Sequence, residues 1–485
     1  MTDASPIQTG PSPYSDSSSP STGQPDSPAG EVLAGVLETA ATDSSIRPQD
    51  DLFRFVNGGW LATAEIPADR PGSGAFTVLR DEAEAACRQI VEELADSFSA
   101  ASPEEASRAL ATNRGRVGAL YAAFMDDEHL EALGAGPLAG ELTPVLAAAS
   151  KEELARVLGG MTPIGFMGVV GADVEVDIND PERYTSWVGQ SGLGLPDESY
   201  YREEAQAPLR RAYVAHVARM LQLADLTDAF GTSAEDLAER VMAVETDLAK
   251  GHWDRVTCRD VEKMNNPMSW QEIVDSAPTL PWREWREGIR SAARSAGIEQ
   301  TTFLDEAIVT QPDYLPHAAR IWQETDLEDL KAWAAWHIVH GRATLLSGAF
   351  VEENFDFYGR TLQGTDELRA RWKRGVALVE SCLGEALGEI YVERHFPPSH
   401  KSAMEILVGR LIEAYRQSIS SLEWMSPATR ARALDKLALF TPKIGYPVRW
   451  RDYSAVEITP GDVLTSVRSV ERADMAYSLD KLTKP

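Results

Sequence analysis

Val170-Gly171-Ala172-Asp173-Val174-Glu175-Val176-Asp177-Ile178 alternates large apolar residues with small or acidic ones, and an extended run, Tyr184–Gln190, follows Asn179-Asp180-Pro181. Successive side chains on a strand point to opposite faces, so a period of two buries one face and wets the other. Asn, Asp and Pro between the runs supply a turn. The stretch predicts a β-hairpin. It decides the fold class by contrast, because the sequence on either side follows the helical period.

Apolar residues recur at helical spacing over 82–98, 106–125, 151–158, 209–224, 233–250, 327–346, 372–394, 401–422, 427–439 and 464–482, with charged residues between them. Ser426-Pro427 is a start signal, with Ser as N-cap and Pro at the first helical position. Pro397-Pro398 forces a turn between two helices. The expectation is a mainly α protein, a large multi-helical lobe over 46–485 with one small β-hairpin. Residues 1–45 form a Ser/Pro/Gly-rich stretch with few large apolar residues, expected to be disordered except for a frayed helix over 31–42. The beginning of the chain lacks a basic region followed by an apolar one, so it does not read as a secretory signal.

Acidic residues outnumber basic ones, 75 to 46, for a formal net charge of −29. That balance argues against nucleic acid and against an anionic membrane surface as partners. No run of some 18 apolar residues predicts a membrane span. Cys87, Cys258 and Cys382 are odd in number and far apart, which suits reduced thiols and a cytoplasmic location.

Several ordered signatures carry more information. Asp50-Asp51-Leu52-Phe53-Arg54-Phe55-Val56-Asn57-Gly58-Gly59-Trp60-Leu61 is followed by Ile66-Pro67 and by Phe76-Thr77-Val78-Leu79-Arg80-Asp81-Glu82. Then come Gln190-Ser191-Gly192-Leu193-Gly194-Leu195-Pro196-Asp197-Glu198-Ser199-Tyr200-Tyr201, Asn266-Pro267-Met268 and Asn354-Phe355-Asp356-Phe357-Tyr358. Arg371-Trp372-Lys373-Arg374, Trp424-Met425-Ser426-Pro427 and Pro442-Lys443-Ile444-Gly445-Tyr446-Pro447 complete the series. Together they resemble the N-terminal, helical domain of the neprilysin-type zinc metallopeptidases (neprilysin, endothelin-converting enzyme and bacterial relatives).

The resemblance implies a lobe that covers a catalytic lobe across a water-filled cavity and admits only oligopeptides. It also implies zinc as the cofactor of the complete enzyme, and peptide-bond hydrolysis with a glutamate as general base. The family arginine that faces the cavity and can pair with a peptide C-terminal carboxylate corresponds to Arg80, whose planar fork suits that task. Gly72 stands where neprilysin has a second arginine, so a two-arginine clamp is not reproduced.

The motif that would bind zinc is missing. The histidines are His129, His216, His252, His317, His337, His340, His395 and His400; no two are four apart and none precedes glutamate, so H-E-x-x-H does not occur. His337 and His340 share a helical face but have no acid between them, and read as packed histidines rather than ligands. His395 and His400 read as loop and cap residues. Gly189-Gln190-Ser191-Gly192-Leu193 has Leu where a nucleophile elbow needs Gly, which removes Ser191 as a nucleophile. Neither a catalytic residue nor a metal ligand is expected here, and no zinc is expected on this chain. The reading is a peptidase lobe lacking its zinc-binding domain and inactive alone, with a separately encoded catalytic half as a possible partner. The alternative is a self-standing, non-catalytic peptide-binding protein.

Overall fold

Helix starts follow their capping residues closely. Ser233 Oγ accepts from Asp236 N at 3.1 Å and opens one helix; Ser426 Oγ accepts from Thr429 N at 3.1 Å and opens another, with Pro427 in its first position. Each satisfies a backbone donor that has no partner within the helix. The computed structural model describes residues 41–482 apart from positions 167 and 300, so most of the expected tail and the chain's last three residues lie outside it.

The chain divides into two compact units, one ending at Ile66 and one beginning at Pro67. The first contains α1 (Leu52–Leu61), capped by Asp51, whose carboxylate accepts from Arg54 N at 2.9 Å. Trp60, which follows Gly58-Gly59, is half-buried.

The second unit is mainly α. Its longer helices are α2 (Ala75–Ser99), α3 (Asn113–Met125), α4 (Lys151–Met161), α5 (Ala207–Leu223), α6 (Ala234–Ala249), α7 (Trp282–Ser295), α8 (Tyr314–Glu324), α9 (Leu327–Arg342), α10 (Arg371–His395), α11 (Pro398–Ser421), α12 (Pro427–Ala438) and α13 (Val463–Lys481). The expected hairpin forms from β1 (Val170–Val176) and β2 (Tyr184–Gln190), antiparallel, with Val174 opposite Ser186. It does not stand alone. β3 (Pro267–Ser269) and β4 (Glu306–Val309) extend it to a four-stranded sheet of order β1-β2-β4-β3, in which β2 and β4 run parallel. The expected helix over 106–125 is two, because Thr112 ends one turn and caps α3 through Gly115 N.

Two apolar cores result. One joins the sheet to α4 through α9 and holds the fully buried Trp333 and Trp336. The other lies among α2, α3, α10 and α13, with Ile90, Leu120, Val379 and Leu383 at its centre.

Candidate functional site

The start of α2 presents the residue named from sequence. Phe76, Leu79 and Arg80 are three and four apart, hence neighbours on one helical face, and all three are exposed, Phe76 at 88% and Leu79 at 59%. Asp81 does not hold Arg80. Its carboxylate accepts from Arg70 Nη1 at 3.0 Å; the Arg70 side chain is buried and also reaches Asp69, whose other oxygen accepts from Lys373 Nζ at 2.5 Å. The Lys373 hydrogen bond holds the Asp69 carboxyl below its usual range. Burial works against the charge on Arg70, but Asp81 and Asp69 outweigh it and raise its pKa. Among the described residues Arg80 has no ion-pair partner. An Asp69–Arg70–Asp81–Lys373 network thus ties down the base of a helix that offers one guanidinium, without an ion-pair partner among the described residues, beside two exposed apolar side chains.

A second concentration of chemistry is buried, and the sequence did not reveal it. Glu245, on α6, is fully inaccessible. Its carboxylate accepts from Tyr201 Oη at 2.7 Å and Tyr213 Oη at 2.9 Å. Tyr213 Oη accepts in turn from Trp336 Nε1 at 2.8 Å, and Tyr201 Oη from the backbone N–H groups of Gly194 and Leu195. His337 Nε2 stands 3.0 Å from Glu245 Oε1, though not aligned as a hydrogen bond. Burial, and then the Glu245 charge, push both tyrosine pKa values well above the ordinary range, so the two phenols remain donors. The loop before Pro196 closes on this cluster. Gly192 has φ +94°, and a Cβ on Gly194 would collide with the Tyr213 hydroxyl. That is the physical reason for the spacing of Gln190 to Tyr201.

His216 and His340 are used for packing. His216 Nδ1 meets Glu353 Oε1 at 2.8 Å and its ring stacks on Phe357 at 5.0 Å. His340 lies against Trp336 and Tyr358. Burial, reinforced by His337 and His216, pushes its pKa down to about 3; burial also takes His252 down to about 4. Where the sequence found no acid beside His337 and His340, α6 brings Glu245 to His337 from 92 residues away in the chain. Even so, no group of three His, Cys, Asp or Glu among the described residues is placed to hold a metal ion.

His395 ends α10 against Tyr391, and His400 sits in the first turn of α11 against Phe396. Ser191 offers its backbone oxygen to Tyr314 Oη and His252 Nε2. Cys258 is half-buried and its thiol pKa is raised by burial, while those of Cys87 and Cys382 are pushed up to about 11. None is an activated nucleophile.

Residues 48–447 match the sequence profile of peptidase family M13. The chain belongs to that family. It is 24% identical over 464 residues to the neutral endopeptidase of Lactobacillus helveticus, covering 94% of this chain and 67% of that protein. It is 27% identical over 435 residues to the mouse membrane metallo-endopeptidase-like 1, covering 86% of this chain and 54% of that one. Among solved M13 structures it resembles the Mycobacterium tuberculosis zinc metalloprotease Zmp1 in complex with an inhibitor, at 42% identity and a TM-score of 0.82, over 93% of this chain and 65% of that one. The same enzyme in its open state gives 0.75 at 43% identity. The chain therefore spans roughly half to two thirds of the length of these relatives.

Proposed function

We propose that these residues form the substrate-enclosing helical lobe of an M13 zinc metalloendopeptidase that acts on oligopeptides. Zinc belongs to the complete enzyme, and the 485 residues do not hydrolyse peptides by themselves. The observation that carries this reading is the free Arg80 guanidinium beside exposed Phe76 and Leu79, on a helix start pinned by Arg70. A cation next to apolar surface is what a peptide's carboxylate and hydrophobic side chain require. The missing H-E-x-x-H supports the absence of independent catalysis. Three free cysteines support a reducing, cytoplasmic setting.

The test is binding of a fluorescent pentapeptide with a free C-terminus. Arg80→Ala should weaken it about tenfold, which corresponds to the loss of roughly 1.4 kcal/mol, while the circular dichroism spectrum stays unchanged. Equal affinity would return Arg80 to an ordinary surface residue. Chelator-sensitive cleavage of a fluorogenic peptide by the purified chain would overturn the second half of the reading. A non-catalytic peptide-binding protein is the competing assignment, and the two closed apolar cores favour it to the extent that the lobe folds without help.

A further inference from the structure

Helix α2 carries an acid placed to neutralise its own exposed cation. Glu84 stands four residues after Arg80, so the two are neighbours on one helical face, and an ion pair between them is the ordinary local outcome. It does not form. Glu84 Oε1 accepts instead from Arg369 Nη2 at 2.5 Å, and the Glu84 side chain is largely buried, at 12% exposed. Asp81 is taken in the same way by Arg70. Glu82, the remaining acid of this turn, sits two residues on and does not face Arg80.

The two diverting arginines sit on segments that are tied to each other. The backbone N–H groups of Asp366 and Glu367 donate to Ala68 O at 3.2 and 3.0 Å, which joins the loop before Arg369 to the segment before Arg70. Gly364, at φ +70°, turns the chain into that loop. Beyond it, Arg374 Nε donates to Arg369 O at 3.2 Å, and Lys373 Nζ reaches Asp69. The fold thus delivers Arg369 to α2 from 285 residues away in the chain. Glu380, on α10, makes the surroundings of Glu84 more acidic still: burial, and then the Glu84 charge, push its carboxyl pKa up. Without the Arg369 charge, Glu84 would face that acid unscreened, and repulsion would favour the rotamers that lead back to Arg80.

We propose that Arg369 is a positioning residue for the carboxylate-binding surface: by holding Glu84 it keeps the Arg80 guanidinium open to a peptide C-terminus. The assignment rests on the functional reading above and deepens it, because it names what sets the strength of the Arg80 site and its preference for a free carboxylate. Arg369 does not touch the peptide; its effect runs through Glu84. An i,i+4 ion pair is weak, so releasing Glu84 lowers the open fraction of Arg80, and with it the apparent affinity, about threefold, less than removal of Arg80 itself.

The experiment uses the full chain and one fluorescent pentapeptide, with a free C-terminus and amidated, so that the ratio of the two affinities reads the carboxylate alone. Arg369→Met keeps the apolar stem and removes the charge, and thermal melting checks its fold. The ratio is expected to fall about threefold in Arg369→Met. It should keep its original value in Arg369→Lys, and return to that value when Glu84→Gln is added to Arg369→Met. A ratio untouched by Arg369→Met, or a fall that Glu84→Gln does not reverse, would overturn the positioning role. If Arg369→Met does not fold, Ala83→Glu carries the test. It places an acid three residues after Arg80 with no arginine set to divert it, so the ratio should fall similarly; an unchanged ratio would overturn the proposal. Arg80→Ala separates this inference from the reading beneath it. If that variant leaves the ratio unchanged, the carboxylate site and its positioning residue both fall. If it abolishes the preference while Arg369→Met does not alter it, only the positioning role falls.

Discussion

Residues 207–358 and residues 397–450 are both largely helical and both carry aromatic residues, yet they treat them in opposite ways. In the first, Tyr213, Trp336, Phe357 and His216 lie within about one ring diameter of one another, and the Tyr213 and Trp336 polar atoms are passed along a chain ending at Glu245. In the second, Tyr415, Trp424 and Phe440 face outward. A buried polar network is costly to leave half-made, so every member constrains its neighbours. An exposed apolar stripe constrains nothing until something covers it. The first region should therefore govern stability and the second association.

Removal of Glu245 should break this contrast most severely. Glu245→Ala leaves two tyrosine hydroxyls without their acceptor in a site closed to water, so a loss of about 3–5 kcal/mol in urea unfolding is expected. Glu245→Gln should cost visibly less, because an amide oxygen still accepts. Equal effects from both would mean that the charge, rather than the acceptor, matters.

Acid should sharpen the comparison next. His340 and His252 are held neutral by burial, at about 3 and about 4. A histidine with a depressed folded pKa leaves stability intact above its unfolded value near 6.5 and removes it as the pH falls toward the folded value. For His252 alone the shift corresponds to roughly 3 kcal/mol once protonation is complete. Unfolding free energy should thus decline from pH 6.5 to 4. His252→Gln should flatten that slope; an unchanged slope would place the acid sensitivity elsewhere.

Gly194→Ala is expected to cost about 1–3 kcal/mol, because the new methyl must displace the Tyr213 hydroxyl. Thermal melting checks it. The smallest effect belongs to α11. Leu411→Ser should change stability by no more than about 0.5 kcal/mol, since the side chain is already half in water. A larger loss would show that α11 is covered within this chain after all.

Much of the framework was legible before any coordinates. The cap at Ser426, the prolines at 397 and 398, and the alternation from Val170 to Val176 each act through near neighbours, and each appears where its residues put it. β3 and β4 were missed because three- and four-residue strands carry no usable period, and because β4 pairs with a strand more than a hundred residues earlier. Glu245 was missed for a related reason. On its own helix it is one acid among several, and nothing local distinguishes it from Glu239 or Asp247. Arg80 was found only through the resemblance; its freedom from Asp81 depends on Arg70 arriving from the preceding loop.

The amino-acid sequence by itself determined the family, the helical character, the hairpin and the lack of a zinc motif, because each of these is written in residue order over short distances. Only the tertiary structure decided which acids are buried, which arginines lack an ion-pair partner among the described residues and which helices go uncovered. Burial and pairing depend on segments remote in the chain meeting in space, and no local pattern records those meetings.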